Sequence, residues 1–366
     1  MTELTIKSAA DALWDCVSLG EVMLRLDPGE TRVRTARSFR VWEGGGEYNV
    51  TRALRKVFHL HTAVVTSLVD NEVGHLVEDL MMTGGVDTRH VQWVAFDGFG
   101  HAARVGLNFT EKGYGIRPAQ GTYDRGHTAI AALKPGDVDW QRIFSEEGAR
   151  WLHTGGIFAA LSEHAPEVLL EAVKAAKATG TVVSYDLNYR ASLWKMQGGQ
   201  NRAIEINREL APHFDVMIGN EYQFGQALGL HVPSREEGQS ALDPSTFKRM
   251  IDEVMATFPN LAVVATTQRE ETTANVNDLG AVLYADGDFH VATPRMGLEI
   301  YDRVGGGDGF ASGMIYALLD GRHPGEAVEY GAAHGALCMT TPGDTSMMAL
   351  EDVQRAIGAK SVRALR

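Results

Sequence analysis

Asp302-Arg303-Val304-Gly305-Gly306-Gly307-Asp308-Gly309-Phe310 sets three consecutive glycines in front of an acid, with a helical pattern opening directly behind them. After Asp308, the apolar residues Phe310, Met314, Ala317 and Leu318 recur at helix spacing, and Gly321 and Pro324 close the segment. Glycines there let bare backbone N–H groups meet an anion at a helix N-terminus, where the macrodipole favours negative charge. An aspartate on the first turn then stands beside the anion, placed to accept a proton. Phosphoryl transfer to an alcohol needs that pairing, because the transferring charge must be stabilised and the attacking hydroxyl oriented. The plain alternative is a helix start with a capping acid.

A second cluster, Gly44-Gly45-Gly46-Glu47-Tyr48-Asn49, precedes a segment in which Val50, Leu54, Val57 and Phe58 share a helical face. No G-x-x-x-x-G-K-[ST] phosphate loop occurs, and the G-x-G-x-x-G register fails at Phe310 in one cluster and at Asn49 in the other. What remains is an early Gly-Gly-x-x-x-Asn and a late Asp-x-x-Gly-x-Gly-Asp. In this order and separation the chain resembles the ribokinase-like (PfkB) carbohydrate kinases, and within them the 2-keto-3-deoxygluconate kinases. Those carry G-G-x-E-x-N-V and D-R-x-G-x-G-D-x-F, which here read Gly44 to Val50 and Asp302 to Phe310. The resemblance runs from about Trp14 to about Val353.

The composition is that of a soluble enzyme. The chain has 366 residues, enough for one large α/β domain with an elaboration or for two domains, and 44% are hydrophobic. A formal net charge of −13 argues against a nucleic-acid or membrane-surface partner, and any site for a polyphosphate or an acidic sugar must be made locally positive. Cys16 and Cys338 are far apart in sequence and read as buried thiols in a reducing cytoplasm. No apolar run reaches transmembrane length, and Glu3, Lys7 and Asp11 make Met1 to Asp15 no secretory signal. The expected location is cytoplasmic.

Strands are expected over Cys16 to Gly20, Thr62 to Leu68, Trp151 to Thr154, Thr181 to Tyr185, Val216 to Ile218 and Leu261 to Thr266. Helices are expected from an N-cap at Ser162 to about Thr179 and near Thr246 to Phe258. This alternation predicts a parallel sheet covered on both faces. Asp286-Gly287 marks a two-residue hairpin. Val22 to Trp42 and His101 to Thr128 lack helix periodicity. The resemblance implies a ribokinase-like, Rossmann-type α/β sandwich over residues 14–357, with a mainly parallel central sheet. It makes segments 22–42 and 101–128 a small β-sheet lid over the sugar, and residues 1–13 an N-terminal extension.

Asp186-Leu187-Asn188-Tyr189-Arg190 follows the Thr181 to Tyr185 strand, at the carboxyl end where ligands bind in open α/β sheets. Three polar groups converge there, one with a planar donor fork, although a loop stitched by side-chain hydrogen bonds would look the same. The resemblance assigns Gly44, Gly45, Asn49, Asp186, Asn188 and Arg190 to the sugar, with Tyr123 and Arg125 from the lid. Asn108 stands where the resembled kinases often have a substrate-contacting tyrosine. Asp308 would be the catalytic base and Gly305, Gly306 and Gly307 the anion hole. On the nucleotide side, Asn220 and Glu221 stand where the family has Asn-x-x-Glu, a motif that organises Mg²⁺ through water; position 223 is Gln. Asn220 as a plain helix cap competes. Thr266, Thr267 and Arg269 replace a Thr-x-Gly-x-x-Gly nucleotide loop, and His334 would pack beside adenine. Asp302 matches an acid that in relatives helps hold a monovalent cation. The implied cofactors are ATP and Mg²⁺, with K⁺ a further candidate, and the partners a small sugar or sugar acid and further copies of the chain. A ketohexose kinase, a nucleoside kinase and a catalytically silent sugar-binding protein are the alternatives.

Overall fold

The computed structural model describes residues 3–232, 240 and 242–358; Met1 and Thr2 of the expected extension lie outside them. In chain order the strands are β1 (Cys16–Leu19), β2 (Met23–Asp27), β3 (Arg40–Gly44), β4 (Thr62–Asp70), β5 (Val91–Ala95), β6 (Leu107–Glu111) and β7 (Gln120–Asp124). They continue as β8 (Trp151–Gly155), β9 (Val182–Asp186), β10 (Val216–Gly219), β11 (Val263–Thr273), β12 (Val276–Ala285), β13 (Asp288–Val291) and β14 (Arg295–Glu299). The larger sheet has the order β13-β12-β11-β10-β9-β8-β1-β4-β5, with β14 also on β12. From β5 to β11 every pairing is parallel, and β12 then turns back antiparallel on β11.

Both faces of this sheet are buried, as parallel strands require. Along β10, Met217 packs into one core while Val216 and Ile218 pack into the other. The first core takes the Ala165–Ala178 and Gly199–Leu210 helices; the second takes Gly46–Lys56, Gly306–Leu319 and Pro324–Cys338. The result is the expected ribokinase-like α/β sandwich. Asp286 and Gly287 both adopt positive φ, 54° and 91°, the geometry of a two-residue hairpin that matches strand twist. The cap of the Ala165–Ala178 helix is His164 rather than Ser162, but the Ser162 hydroxyl still accepts the Ala165 N–H at 3.2 Å.

One stretch behaves differently from its sequence pattern. The strand expected to end at Thr266 continues to Thr273, because β12 pairs with it along nearly its whole length. Without the glycines of a nucleotide loop, Thr267 to Glu270 stay in the ladder.

A separate four-stranded sheet has the order β3-β2-β6-β7. Its strands come from the two stretches that lack helix periodicity. β2 runs antiparallel to β3 and parallel to β6. The register puts Trp42, Arg25, Asn108 and Tyr123 in one cross-strand row, hence on one face. The larger sheet ends its parallel strands at Gly20 and Glu21, at Gly155, at Asp186 and at Asn220, so these residues gather at one edge.

Candidate active site

The late glycine cluster starts the Gly306–Leu319 helix, with Gly305 as N-cap at φ 83°. That left-handed backbone suits glycine alone, and a Cβ at Gly305 would also strike the carbonyl oxygen of Asp344. Gly307 is exposed, with no atom within 4 Å of where its Cβ would stand, so the first-turn amides open onto free space. Asp308 lies on this turn. The early cluster starts the Gly46–Lys56 helix, and Asn49 on its first turn donates from Nδ2 to Asp308 Oδ2 at 2.7 Å. A Cβ on Gly46 would lie 3.4 Å from Asn188 Nδ2 and 3.5 Å from Asp308 Oδ1, so these groups share one small space. Both glycine clusters and the Asp186–Arg190 loop therefore meet, as the sequence predicts.

The space is rich in acids. Burial pushes the Asp308 carboxyl up to about 7, against the Asn49 hydrogen bond that lowers it; Asp186 and Asp344 push it further and Arg190 opposes them. Asp186 rises to about 6 for the same reason, opposed by the Asn188 N–H and Arg190. Glu47, which the motif contains but no sequence argument used, is buried with its carboxyl between Gly20 and Gly155 and rises to about 8. Glu21 ion-pairs with Arg125, and its other carboxyl oxygen is buried with no partner. This changes the status of Arg125, whose guanidinium is already neutralised by Glu21. Arg190 is more open: its Nη1 donates to the Tyr189 carbonyl at 3.1 Å, and its charge lowers the titration of both Asp186 and Asp308. Asn49 Oδ1 is a second buried acceptor with no partner, suited to a ligand hydroxyl.

The profile of the pfkB family carbohydrate kinases matches residues 14–350. The chain belongs to that family. It is a sugar kinase. Over 94% of its length it is 28% identical to a 2-dehydro-3-deoxygalactonokinase of Haloferax volcanii, covering 96% of that protein. The crystal structure of the Thermotoga maritima 2-dehydro-3-deoxygluconokinase superposes with a TM-score of 0.85 at 32% identity, over 94% of this chain and 99% of that one. A ribokinase II from E. coli, in complex with ATP and Mg²⁺, superposes with a TM-score of 0.74 at 17% identity, over 94% and 99%, and shares the fold.

Beyond Asp308, the kinase has a cleft open to solvent, walled by Thr267, Arg269, Arg303, Gly306, Gly307 and Gly335, among others. Arg269 Nη2 is buried without a partner. Burial and the neighbouring Arg303 guanidinium lower Arg269 to about 10, opposed by Glu271, whose carboxylate pairs with Arg269 at 3.3 Å and with Arg303 at 3.5 Å on this wall of the cleft. Arg303 lies inside the glycine motif, and its pairing with Glu271 of β11 accompanies its place on the cleft wall.

Two expected nucleotide-side residues, His334 and Thr266, face away from the cleft. His334 is fully buried and away from the cleft: Nδ1 meets the Gly309 carbonyl at 2.9 Å, and Nε2 meets Ser346 Oγ at 2.8 Å. It clamps two helices, while its neighbours Gly335 and Ala336 face the cleft. Strand alternation turns Thr266 inward, where it is fully buried. Asn220 and Gln223 form a reciprocal capping box: Asn220 Oδ1 accepts the Gln223 N–H at 3.0 Å, and Gln223 Oε1 accepts the Asn220 N–H at 2.9 Å. Glu221 follows on the first turn of that helix. Asp302 is buried against Arg25. In the second sheet, Asn108 is buried and accepts from Thr110 Oγ1 at 3.1 Å, and Tyr123 is half-exposed with the Arg125 guanidinium 5.9 Å from its ring centre.

Proposed function

We propose that this kinase transfers the γ-phosphoryl of ATP to the terminal hydroxyl of a 2-keto-3-deoxy sugar acid, 2-keto-3-deoxygluconate or its galacto counterpart. The observation that carries it is the Asn49–Asp308 pair at 2.7 Å, set on the helix turn whose Gly306 and Gly307 line the cleft. The Haloferax and Thermotoga proteins named for such substrates support the sugar-acid class.

The residues present fit a polyphosphate. An orphaned Arg269 nitrogen, and a wall on which Arg269 and Arg303 share the single carboxylate of Glu271, both leave positive charge for an anion in the cleft. Among the described residues no cluster of three His, Cys, Asp or Glu side chains could hold a metal alone. That suits Mg²⁺, which keeps several waters and binds through substrate phosphates and one or two carboxylates. Glu221 is the carboxylate that would reach it through water, and the ion would neutralise charge on the phosphates.

The chain's own groups divide the remaining work. Asp308 accepts the proton of the attacking hydroxyl, and Asn49 holds the carboxyl in place. The Gly305–Gly307 amides meet the charge that develops on the transferring phosphoryl. Arg190 receives the substrate carboxylate through a bidentate, charge-assisted pair. The four-stranded sheet acts as a lid, bringing Arg125, Tyr123 and Asn108 over the sugar and excluding water.

A second reading, a ketohexose kinase, is favoured by one observation: Glu21 already neutralises Arg125, which leaves Arg190 as the cation for a carboxylate. The test is kcat/KM for 2-keto-3-deoxygluconate, 2-keto-3-deoxygalactonate and fructose under identical ATP and Mg²⁺. Sugar acids should be preferred, and a preference for fructose rejects the sugar-acid assignment. A lost charge-assisted pair costs roughly 1.5–3 kcal/mol, so Arg190→Ala should lower kcat/KM for the acid by about 10- to 150-fold and for fructose by less.

A further inference from the structure

Arg25 lies on β2, in no motif, with its side chain fully buried. Its Nη1 donates to Asp344 Oδ1 and its Nη2 to Asp302 Oδ2, both at 2.5 Å, and Asp27 Oδ2 is 3.4 Å from Nη2. Burial opposes its charge, but Asp344 and Asp302 hold its pKa above the usual arginine value. The two nearest acids sit at informative places. Asp302 begins the late glycine motif, and its second oxygen accepts the Val304 N–H at 3.2 Å. Asp344 touches both glycine clusters: a Cβ on Gly305 would strike its carbonyl oxygen, and a Cβ on Gly44 would strike its carboxylate. The guanidinium thus ties the four-stranded sheet to the loop before the anion hole and to the residue wedged between the two clusters.

This arrangement does not fit a monovalent cation at Asp302. One of its oxygens faces Arg25 and the other a backbone N–H, and a fixed positive charge already occupies the space between Asp302 and Asp344.

We propose that Arg25 is a positioning residue that serves as the built-in cation of the anion hole, setting Gly305–Gly307 through Asp302 and Asp344 in place of a bound alkali ion. The proposal rests on the glycine amides being the phosphoryl site. A Gly307→Ala variant that keeps wild-type kcat would refute that assignment, whereas the outcomes below bear on Arg25.

The wild-type protein, with whichever sugar it phosphorylates best, is assayed with KCl or with choline chloride at equal ionic strength, using MgATP free of alkali ions. The kcat values should agree within about twofold, and the melting temperature should not respond to K⁺ beyond choline. A saturable K⁺ activation of more than about fivefold, or a saturable K⁺ stabilisation, overturns the proposal. Arg25→Lys and Arg25→Ala should lower kcat by about 10²-fold or more, with the sugar KM within about threefold, and added guanidinium should restore part of the Arg25→Ala loss. If Arg25→Ala does not fold, Arg25→Lys and the wild-type cation comparison still decide. A lysine variant with wild-type kcat, or one whose defect lies in sugar KM alone, rejects the positioning role.

Discussion

The raised titration of Asp308 predicts a steep pH dependence where an ordinary aspartate would give none. A carboxyl with its midpoint at about 7 is about one-tenth ionised at about pH 6 and about nine-tenths ionised at about pH 8. The proton acceptor must be ionised, so kcat/KM for the sugar, at saturating MgATP, should fall about tenfold over that interval as pH drops. With an unperturbed carboxyl the same interval would be flat. The stability effect has the opposite sign. Because the folded-state pKa lies above the ordinary aspartate value of 3.8, the neutral form is favoured by folding. That contribution is complete below about pH 4 and is lost as pH rises through about 7. A rise from 3.8 to about 7 corresponds to at most about 4 kcal/mol, reduced because the carboxyl borders an open cleft. Asp308→Asn should therefore lose about 10²–10⁴-fold in turnover yet unfold at a higher temperature than wild type at alkaline pH. The Asn49 hydrogen bond holds the midpoint down, so Asn49→Ala should move the acid limb to higher pH and hurt most near neutrality. Glu47 and Asp186 titrate nearby, so the observed midpoint belongs to the cluster. A profile that is flat from about pH 5.5 to 8.5, or an acid limb that moves down in Asn49→Ala, would refute the assignment of Asp308 as the titrating base.

Two further outcomes separate site from scaffold. Gly307→Ala places a methyl where no atom lies within 4 Å, in a helical first turn, so the melting temperature should hold or rise while kcat falls by about tenfold or more through crowding of the phosphoryl. His334→Ala should do the reverse, destabilising by about 1–3 kcal/mol in chemical denaturation through the lost Gly309 and Ser346 partners, with the ATP KM nearly unchanged; a large rise in that KM would return His334 to the nucleotide site.

The legible parts of this protein are those where local chemistry and fold ask for the same residues. Three glycines before Asp308 satisfy a left-handed cap, a close approach to Asp344 and an open amide surface at once, so the sequence shows them plainly. The Asp186–Arg190 loop could be placed because an apolar strand ends just before it. Thr266 and His334 went astray because a motif alignment gives position along the chain but not the side a residue faces. Strand alternation decided the first and helix phase the second. Arg25 and Glu21 act through partners distant in sequence, and a single charged residue in a strand or a loop carries no local signature; Arg303 and Glu47 stand inside the two motifs, which do not tell which groups they face. The sequence also could not show that Arg125 is spent on Glu21, a pairing that depends on how the second sheet sits over β1's end.

The charge layout around Asp308 sets a condition on catalysis that neither half of the site meets alone. On the sugar side, Glu47, Asp186 and Asp308 resist ionisation because burial penalises it, and neighbouring acids raise Glu47 and Asp308 further. On the nucleotide side, Arg269 and Arg303 share one carboxylate, Glu271, and stay two cations to one acid until an anion arrives. A polyphosphate in the cleft quiets the arginines but brings negative charge toward Asp308, which would push its proton affinity higher still. Positive groups near the carboxyl can offset that: the Gly305–Gly307 amides, Mg²⁺ carried by the phosphates, and Arg190, which already favours the ionised form of Asp308. If they prevail, the acid limb of kcat, which reports the ternary complex, falls at lower pH than the limb of kcat/KM, which reports the enzyme before the sugar binds. Asp308 is then a poor base in the open enzyme and a competent one only when both substrates are in place, which limits ATP loss to water without a separate gate.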